Sequence, residues 1–501
     1  MIRVDGHSLS LEAVELAADL PGIELDIPDA ARRRIRASRE TVEALVATGD
    51  PVYGVTTGFG RLAEVPVSPE DRLDLQVNLL RSHAAGAGRL LPRREARALL
   101  LLRANALARG HSGCREIVVD RLLDFLRRDI TPAVPEIGSV GASGDLAPLA
   151  HLALPLIGEG QVLDATGEGT RSAATALAAA GLEPLALRAK EGLALINGTQ
   201  ATTGLGVLAL LRAERTLEQL EVAGAMSLEA LMGTPDAFRE EVHAARPHPG
   251  QVESARNLRD LLADSQIRES HRHGDPRVQD AYSLRCMPQV HGAARSAFGY
   301  VRGILECEVN AATDNPLVFS ESNTVVSAGN FHAQIVAQAL DLLCIAVADL
   351  ASISERRLER LLNPDLSGLP AFLSPEPGIH SGLMILQVTV VDMLAELRVV
   401  AHPASVDSVP TSAGQEDHVS MGLAAARKAR RAVELLEVVA AAELLAAAQG
   451  LEFRRPLRPA IAIDRIHRSL REKVPPLDRD RPPAPDLELV REGVRAGDYL
   501  P

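Results

Sequence analysis

Two stretches of this chain repeat apolar residues every three or four positions: Val336, Leu340, Leu343, Val347 and Leu350, then Leu383, Leu386, Val390, Met393, Leu397 and Val400. At about 3.6 residues per turn, that spacing gathers each set on one stripe of a helix. A third set, Leu435, Val438, Ala442 and Leu445, runs up to Gly450, which the pattern predicts as the glycine that ends the helix. Long amphipathic helices bury their stripes by packing on one another, so the expectation is a mainly α chain built around a long-helix bundle. The remaining faces are rich in Ala and Leu and leave apolar surface for further copies of the same chain.

The first 200 residues read differently. Gly- and Pro-punctuated segments, 51–60 and 131–144, alternate there with helix-like stretches. The expected division is therefore an N-terminal domain over 1–200 and a helical domain over 201–501. Two polar segments, 363–382 and 402–422, read as loops long enough to be functional, and the prolines of 474–486 exclude a helix throughout that stretch. Arg32-Arg33-Arg34-Ile35-Arg36 reads as a solvated helix face.

Charge and cysteine usage narrow the partners. With 53 basic against 66 acidic residues the net charge is −13, which repels a phosphate backbone, so no nucleic acid is expected. No run approaches the roughly 18 uninterrupted apolar residues of a membrane span, and the start lacks a secretory pattern; no membrane and a cytoplasmic location are expected. Cys114, Cys286, Cys307 and Cys344 are far apart, and His271-Arg-His273 has no accompanying carboxylate or cysteine pattern, so no metal site is expected.

The segment Gly138-Ser-Val-Gly-Ala-Ser-Gly-Asp145 precedes an apolar run from Leu146 to Ile157. One reading is a glycine turn capped by Ser143 or Asp145. It is not a G-x-S-x-G elbow, because only Ala142 separates Gly141 from Ser143. The other reading is chemical. In Ala142-Ser143-Gly144 the Gly144 nitrogen can attack the Ala142 carbonyl; loss of two waters then turns Ser143 into an exocyclic alkene. The product, 4-methylidene-imidazole-5-one (MIO), is an electrophile no ordinary side chain supplies, suited to making an amine a leaving group. Glycine at the attacking position leaves room for the tight backbone approach.

Other residues bear chemistry of their own. Tyr53 sits among glycines, and a phenol whose unperturbed pKa is near 10 serves as a base only beside a positive or electrophilic group. Gln279-Asp-Ala-Tyr-Ser-Leu-Arg285 brings together an amide, a phenol and a guanidinium whose planar fork suits a carboxylate. His83, after Ser82, and Glu416, in Gln415-Glu-Asp-His418, are a histidine and a carboxylate able to hydrogen-bond a polar group. Read alone, His83 is equally a structural histidine and Glu416 a helix cap near Ser420. Phe331, in Gly329-Asn-Phe-His332, is equally plain core.

Seven blocks, in order, resemble the histidine and aromatic amino acid ammonia-lyase family: Tyr53 to Gly60, Asn78 to Gly86, the Ala-Ser-Gly block, Asn197-Gly-Thr-Gln200, Gln279 to Gln289, Gly329 to His332, and Gln415 to His418. The likeness runs from Leu11 to Leu489. It implies the helical architecture shared with the fumarase group, an MIO group formed from Ala142, Ser143 and Gly144 with no external cofactor, and a homotetramer with active sites between subunits. It further implies that Tyr53 takes the substrate β-proton and Arg285 anchors the carboxylate. Tyr282, Gln279 and Asn197 would lie around the ring and the amine, with Phe331 packed beside the ring. Ser82-His83 and Glu416 resemble the histidine-specific branch, which implies L-histidine as substrate and trans-urocanate as product. Thr56, Gly414 and Met287 depart from the forms common in the family. A phenylalanine or tyrosine ammonia-lyase or aminomutase, and an inactive helical scaffold, are the alternatives. The fumarase and aspartase signature is matched only faintly, by Cys286-Met-Pro-Gln.

Overall fold

The computed structural model describes residues 1–48, 57, 67–68 and 70–500. It is mainly α: 20 α-helices lie among the described residues, with four small two-stranded sheets. Two compact units make up the chain, and neither is continuous. The first comprises Met1–Leu208, Val301–Asp341 and Pro403–Arg427, the second Ala209–Tyr300, Leu342–His402 and Lys428–Pro501. The single cut at residue 200 read from the sequence misses this interleaving, because the boundaries fall inside long helices such as Gln200–Ala230 and Gly422–Glu452, where no punctuation marks them.

The first unit is organised around the helix Arg93–Ala108, whose residues from Glu95 onward are all buried. Two of its arginines, Arg97 and Arg103, are buried. Arg103 donates to the carbonyls of Ala194 and Asn197 and to Gln200 Oε1, which fixes the Asn197 turn from below. The basic run is not simply solvated: Arg32 pairs with Glu116 and Asp120, and Arg36 with Glu116, so that face docks on the helix Glu116–Arg127.

In the second unit the predicted helices are present as Met384–Val400 and the greater parts of Gln334–Leu362 and Gly422–Glu452. Leu343, Val347 and Leu350 are fully buried, as are Leu386, Val390 and Leu397. Buried ion pairs join the helices. Arg212 meets Glu437 through two bonds of 2.8 Å, and Arg357 meets Glu443 at 2.5 and 2.8 Å, with Ser227 and Ser354 donating to the same carboxylate. Fully hydrogen-bonded in this way, buried charges are tolerated and set helix register. Gly450 does not end its helix, which continues to Glu452. A Cβ there would sit 3.0 Å from the Ala230 Cβ, so the glycine permits close helix packing.

Gln334–Leu362 has an 18-residue window whose mean hydropathy would let it cross a bilayer, and 61% of that window is buried within the protein. Met384–Val400 carries a second apolar face, Ile385, Val388, Val391 and Val399, that this chain leaves exposed.

Glu229, at the end of Gln200–Ala230, is buried, and both its oxygens accept from the Ala460 N–H at the start of the helix Ile461–Lys473. Burial pushes its carboxyl up from 4.5 to about 7, partly opposed by hydrogen bonds from Ser265 and Ala460. A folded pKa above the unfolded one means stability that is full below about pH 4.5 and is lost as pH rises through about 7, amounting to about 3 kcal/mol. Glu229→Gln keeps an acceptor for Ala460 and removes the titration. Its melting temperature should fall less than the parent's between pH 5.5 and pH 8, as measured by calorimetry.

Candidate active site

Asp145 stands at the N-cap of the helix Leu146–Ala153, but its side chain makes no capping bond, so the turn-and-cap reading fails. Its buried carboxylate accepts instead from the Thr202 N–H at 2.7 Å, the Thr202 hydroxyl at 3.0 Å and the Ser139 hydroxyl at 2.8 Å. Burial raises its pKa, and these hydrogen bonds pull the other way. The Asp145 N–H also donates to the Gly198 carbonyl at 2.7 Å. Gly144 lies at φ +77°, where a Cβ would run into that carbonyl.

The other end of the loop is pinned as firmly. Ser420 donates to the Gly141 carbonyl at 3.1 Å, and the Met421 N–H to the Val140 carbonyl at 2.8 Å. Between these anchors Ser143 faces a cavity of about 470 Å³, also lined by Asn315, Phe331, His332, Glu416 and His418.

The Ser143 hydroxyl donates to Glu416 Oε1 at 2.7 Å, and the Thr411 hydroxyl donates to Oε2 at 2.6 Å. Both carboxylate oxygens are thus held, and Glu416 is not a helix cap. The loop that delivers it contains three successive left-handed residues, Ser412, Ala413 and Gly414, at φ +51°, +55° and +82°. Such a run is costly for residues with a Cβ and persists only where the surroundings enforce it. Gly414, one of the departures from the family pattern, suits its conformation.

His83 ends the helix Arg72–His83 and is partly buried. A carbonyl only accepts, so the contact of Nδ1 with the Leu79 oxygen at 2.9 Å puts the proton of a neutral ring on Nδ1 and leaves the Nε2 lone pair free. Burial lowers its pKa below 6.5, while the hydrogen bond to Leu79 and the Glu416 carboxylate act in the opposite direction. Among the described residues, His83 does not line the Ser143 cavity. Asn197 is buried: its amide nitrogen donates to the Asn315 carbonyl at 2.9 Å, and Oδ1 has no partner among the described residues. His332 and His418 stack with centroids 5.9 Å apart and planes within 3°.

Gln279, Tyr282 and Arg285 belong to the second unit. Tyr282 is 71% exposed, with the Arg285 guanidinium 4.5 Å above its ring, a cation–π contact. Met287, another departure, is core: it is fully buried against Gly224. Tyr53 and Thr56 lie outside the described residues. Sequence reasoning missed Thr411 as the second partner of Glu416 and missed the anchoring role of Asp145. Asp145 at least adjoins the tripeptide, whereas nothing in a lone threonine marks Thr411.

A family model described as aromatic amino acid lyase matches residues 9–472. The chain belongs to the aromatic amino acid lyase family. Among curated relatives in that family, histidine ammonia-lyase of Anaeromyxobacter sp. (strain K) is 55% identical over 99% of both chains, and that of Myxococcus xanthus (strain DK1622) 53% identical over 100% of this chain and 97% of its own. Solved structures with the aromatic amino acid lyase fold include histidine ammonia-lyase from Trypanosoma cruzi, 43% identical, TM-score 0.92, over 99% of this chain and 94% of that one. Tyrosine aminomutase from Streptomyces globisporus is 41% identical, TM-score 0.95, over 100% and 97%. Backbone likeness alone therefore does not separate lyases from aminomutases.

Proposed function

We propose that this chain catalyses the non-oxidative elimination of ammonia from L-histidine, giving trans-urocanate. The observation that carries the reading is Glu416 held on Ser143 at the cavity, a polar partner for an imidazole, with His83 as the second partner in this proposal. Curated relatives that match over the full length at 47–55% identity are named histidine ammonia-lyases, which supports the same substrate.

The reading includes an MIO group made from Ala142, Ser143 and Gly144. The tripeptide suits it: Gly144 has the left-handed backbone and the close approach to Gly198 that a Cβ would forbid, and Ser143 opens on the cavity. When present, the group supplies an electrophile that makes the departure of ammonia easier.

In this scheme the neutral His83 ring accepts the substrate imidazole N–H at Nε2, and Glu416 lines the opposite side of the site. Arg285 binds the carboxylate through its fork, with its position steadied by the Tyr282 ring. Asn197 offers an unpartnered carbonyl oxygen to the substrate amine, together with Gln279 and Tyr282, and Phe331 closes the apolar side of the site. Tyr53 takes the β-proton. Protonation of His83 removes its acceptor, so the acid limb of kcat/KM should lie below pH 6.5, the ordinary histidine value.

Assembly is part of the proposal. The exposed face of Ile385, Val388, Val391 and Val399 and the exposed Tyr282 support a homotetramer whose sites draw on more than one chain. The four free cysteines support a reducing, cytoplasmic setting.

Incubation with L-histidine, L-phenylalanine and L-tyrosine separately, following ammonia and the near-ultraviolet absorbance of a conjugated acid, tests the reading. Release from histidine alone is expected. Release from an aromatic substrate instead would favour the ammonia-lyase or aminomutase alternative, and silence with all three the inactive scaffold.

A further inference from the structure

Glu416 holds the Ser143 hydroxyl at 2.7 Å in the chain as translated. Recognition of a substrate imidazole does not require that contact, because the oxygen concerned is one that the chain loses when the tripeptide closes on itself. We infer that Glu416 also acts earlier, as the acid that protonates the Ser143 hydroxyl when that group leaves during self-processing. The inference rests on the proposed function, since it presupposes the ring.

The atoms balance in two dehydrations. In the first, the Gly144 nitrogen bonds to the Ala142 carbonyl carbon, and the carbonyl oxygen leaves as water with the protons of the Gly144 and Ser143 nitrogens. The second is a β-elimination within Ser143. Its Cα proton passes to a cavity water, the C–H electron pair forms the Cα–Cβ double bond, and the Cβ–O bond breaks. Hydroxide is a poor leaving group, so the breaking bond needs a proton delivered to oxygen. Glu416 Oε1 lies on that oxygen. As a carboxylate it accepts from the serine hydroxyl; as a carboxylic acid it donates along the same line, and the proton taken by water then restores it. Two waters leave, and Glu416 is unchanged.

Geometry selects Glu416 over Asp417, which lines the same cavity but has no hydrogen bond to Ser143 among the described residues, and over Asp145. Asp145 is buried, with its oxygens occupied by Thr202 and Ser139. Glu416 has its second oxygen fixed by Thr411 at 2.6 Å, so Oε1 is held toward Ser143. Thr411 is accordingly a positioning residue for the same step.

The test is the intact mass of the full chain, sampled over time after cell-free synthesis. The parent should move from full mass to a mass lacking two waters, faster at lower pH. Glu416→Gln keeps the shape and hydrogen-bonding reach of the side chain but has no proton to give. It should accumulate a species lacking one water, reach the two-water form about a hundredfold more slowly, and lose the pH dependence. Far-ultraviolet circular dichroism checks that it folds. If a folded Glu416→Gln chain matures at the parental rate, the inference is wrong. Should that variant not fold, Thr411→Val leaves the acid in place but unclamps it; slowed maturation with a one-water species is expected, and the parental rate overturns the inference. A parent that keeps its full mass would instead defeat the proposed function itself, so the two failures are distinguishable.

Discussion

Ser143→Ala is expected to abolish turnover of L-histidine, by on the order of 10⁴-fold or more, and to leave the chain at full mass. The expectation follows from what the hydroxyl does and does not hold. Gly141, Gly144 and Asp145 fix the loop through Ser420, Gly198 and Thr202, whereas among the described residues the Ser143 side chain contributes only its bond to Glu416. Removing one oxygen therefore leaves the loop its anchors and takes away the only source of the exocyclic alkene. The large effect should appear in kcat with the melting temperature within a few degrees of the parent's. Intact mass, steady-state ammonia release and calorimetry together separate lost chemistry from lost fold. Full turnover by Ser143→Ala would show that the electrophile lies elsewhere.

His83→Phe should lower kcat/KM for L-histidine by about 10²- to 10⁴-fold while raising that for L-phenylalanine. A site built to hydrogen-bond its substrate loses most of its discrimination when the buried polar partner goes, because the substrate nitrogen is then desolvated with nothing to meet it. The helix Arg72–His83 ends at this position, and the ring is only partly buried, so the substitution does not empty the core. Histidine and phenylalanine kinetics on the same preparation read the ratio directly. An unchanged ratio would reduce His83 to a structural histidine bonded to Leu79.

The parts of this molecule that are legible in the sequence are those fixed by local pattern. Leu343, Val347 and Leu350 follow one another at helical spacing, and that spacing alone demands a buried helical face. The Ala142-Ser143-Gly144 tripeptide is legible because its chemistry depends on three adjacent residues. Gly450 reads as a helix end because a capping glycine and a packing glycine look the same until Ala230, distant in the chain, is seen against it. The anchoring of Asp145 by Thr202 and the clamp of Thr411 on Glu416 are likewise facts of the fold, not of spacing. The second apolar face of Met384–Val400 is open to a sequence reading, since Ile385, Val388 and Val391 recur every three residues, but the stronger buried stripe masks it.

The left-handed run Ser412-Ala413-Gly414 also limits how this enzyme can be re-engineered. A library that randomises the loop to reshape the substrate pocket would consist mostly of backbones that relax to ordinary helical or extended angles, swinging Glu416 away from its post. Surviving clones should be enriched in glycine and asparagine at these three positions whatever substrate is selected for. Diversity aimed at new substrates is better placed at His83, whose backbone is an ordinary helix end.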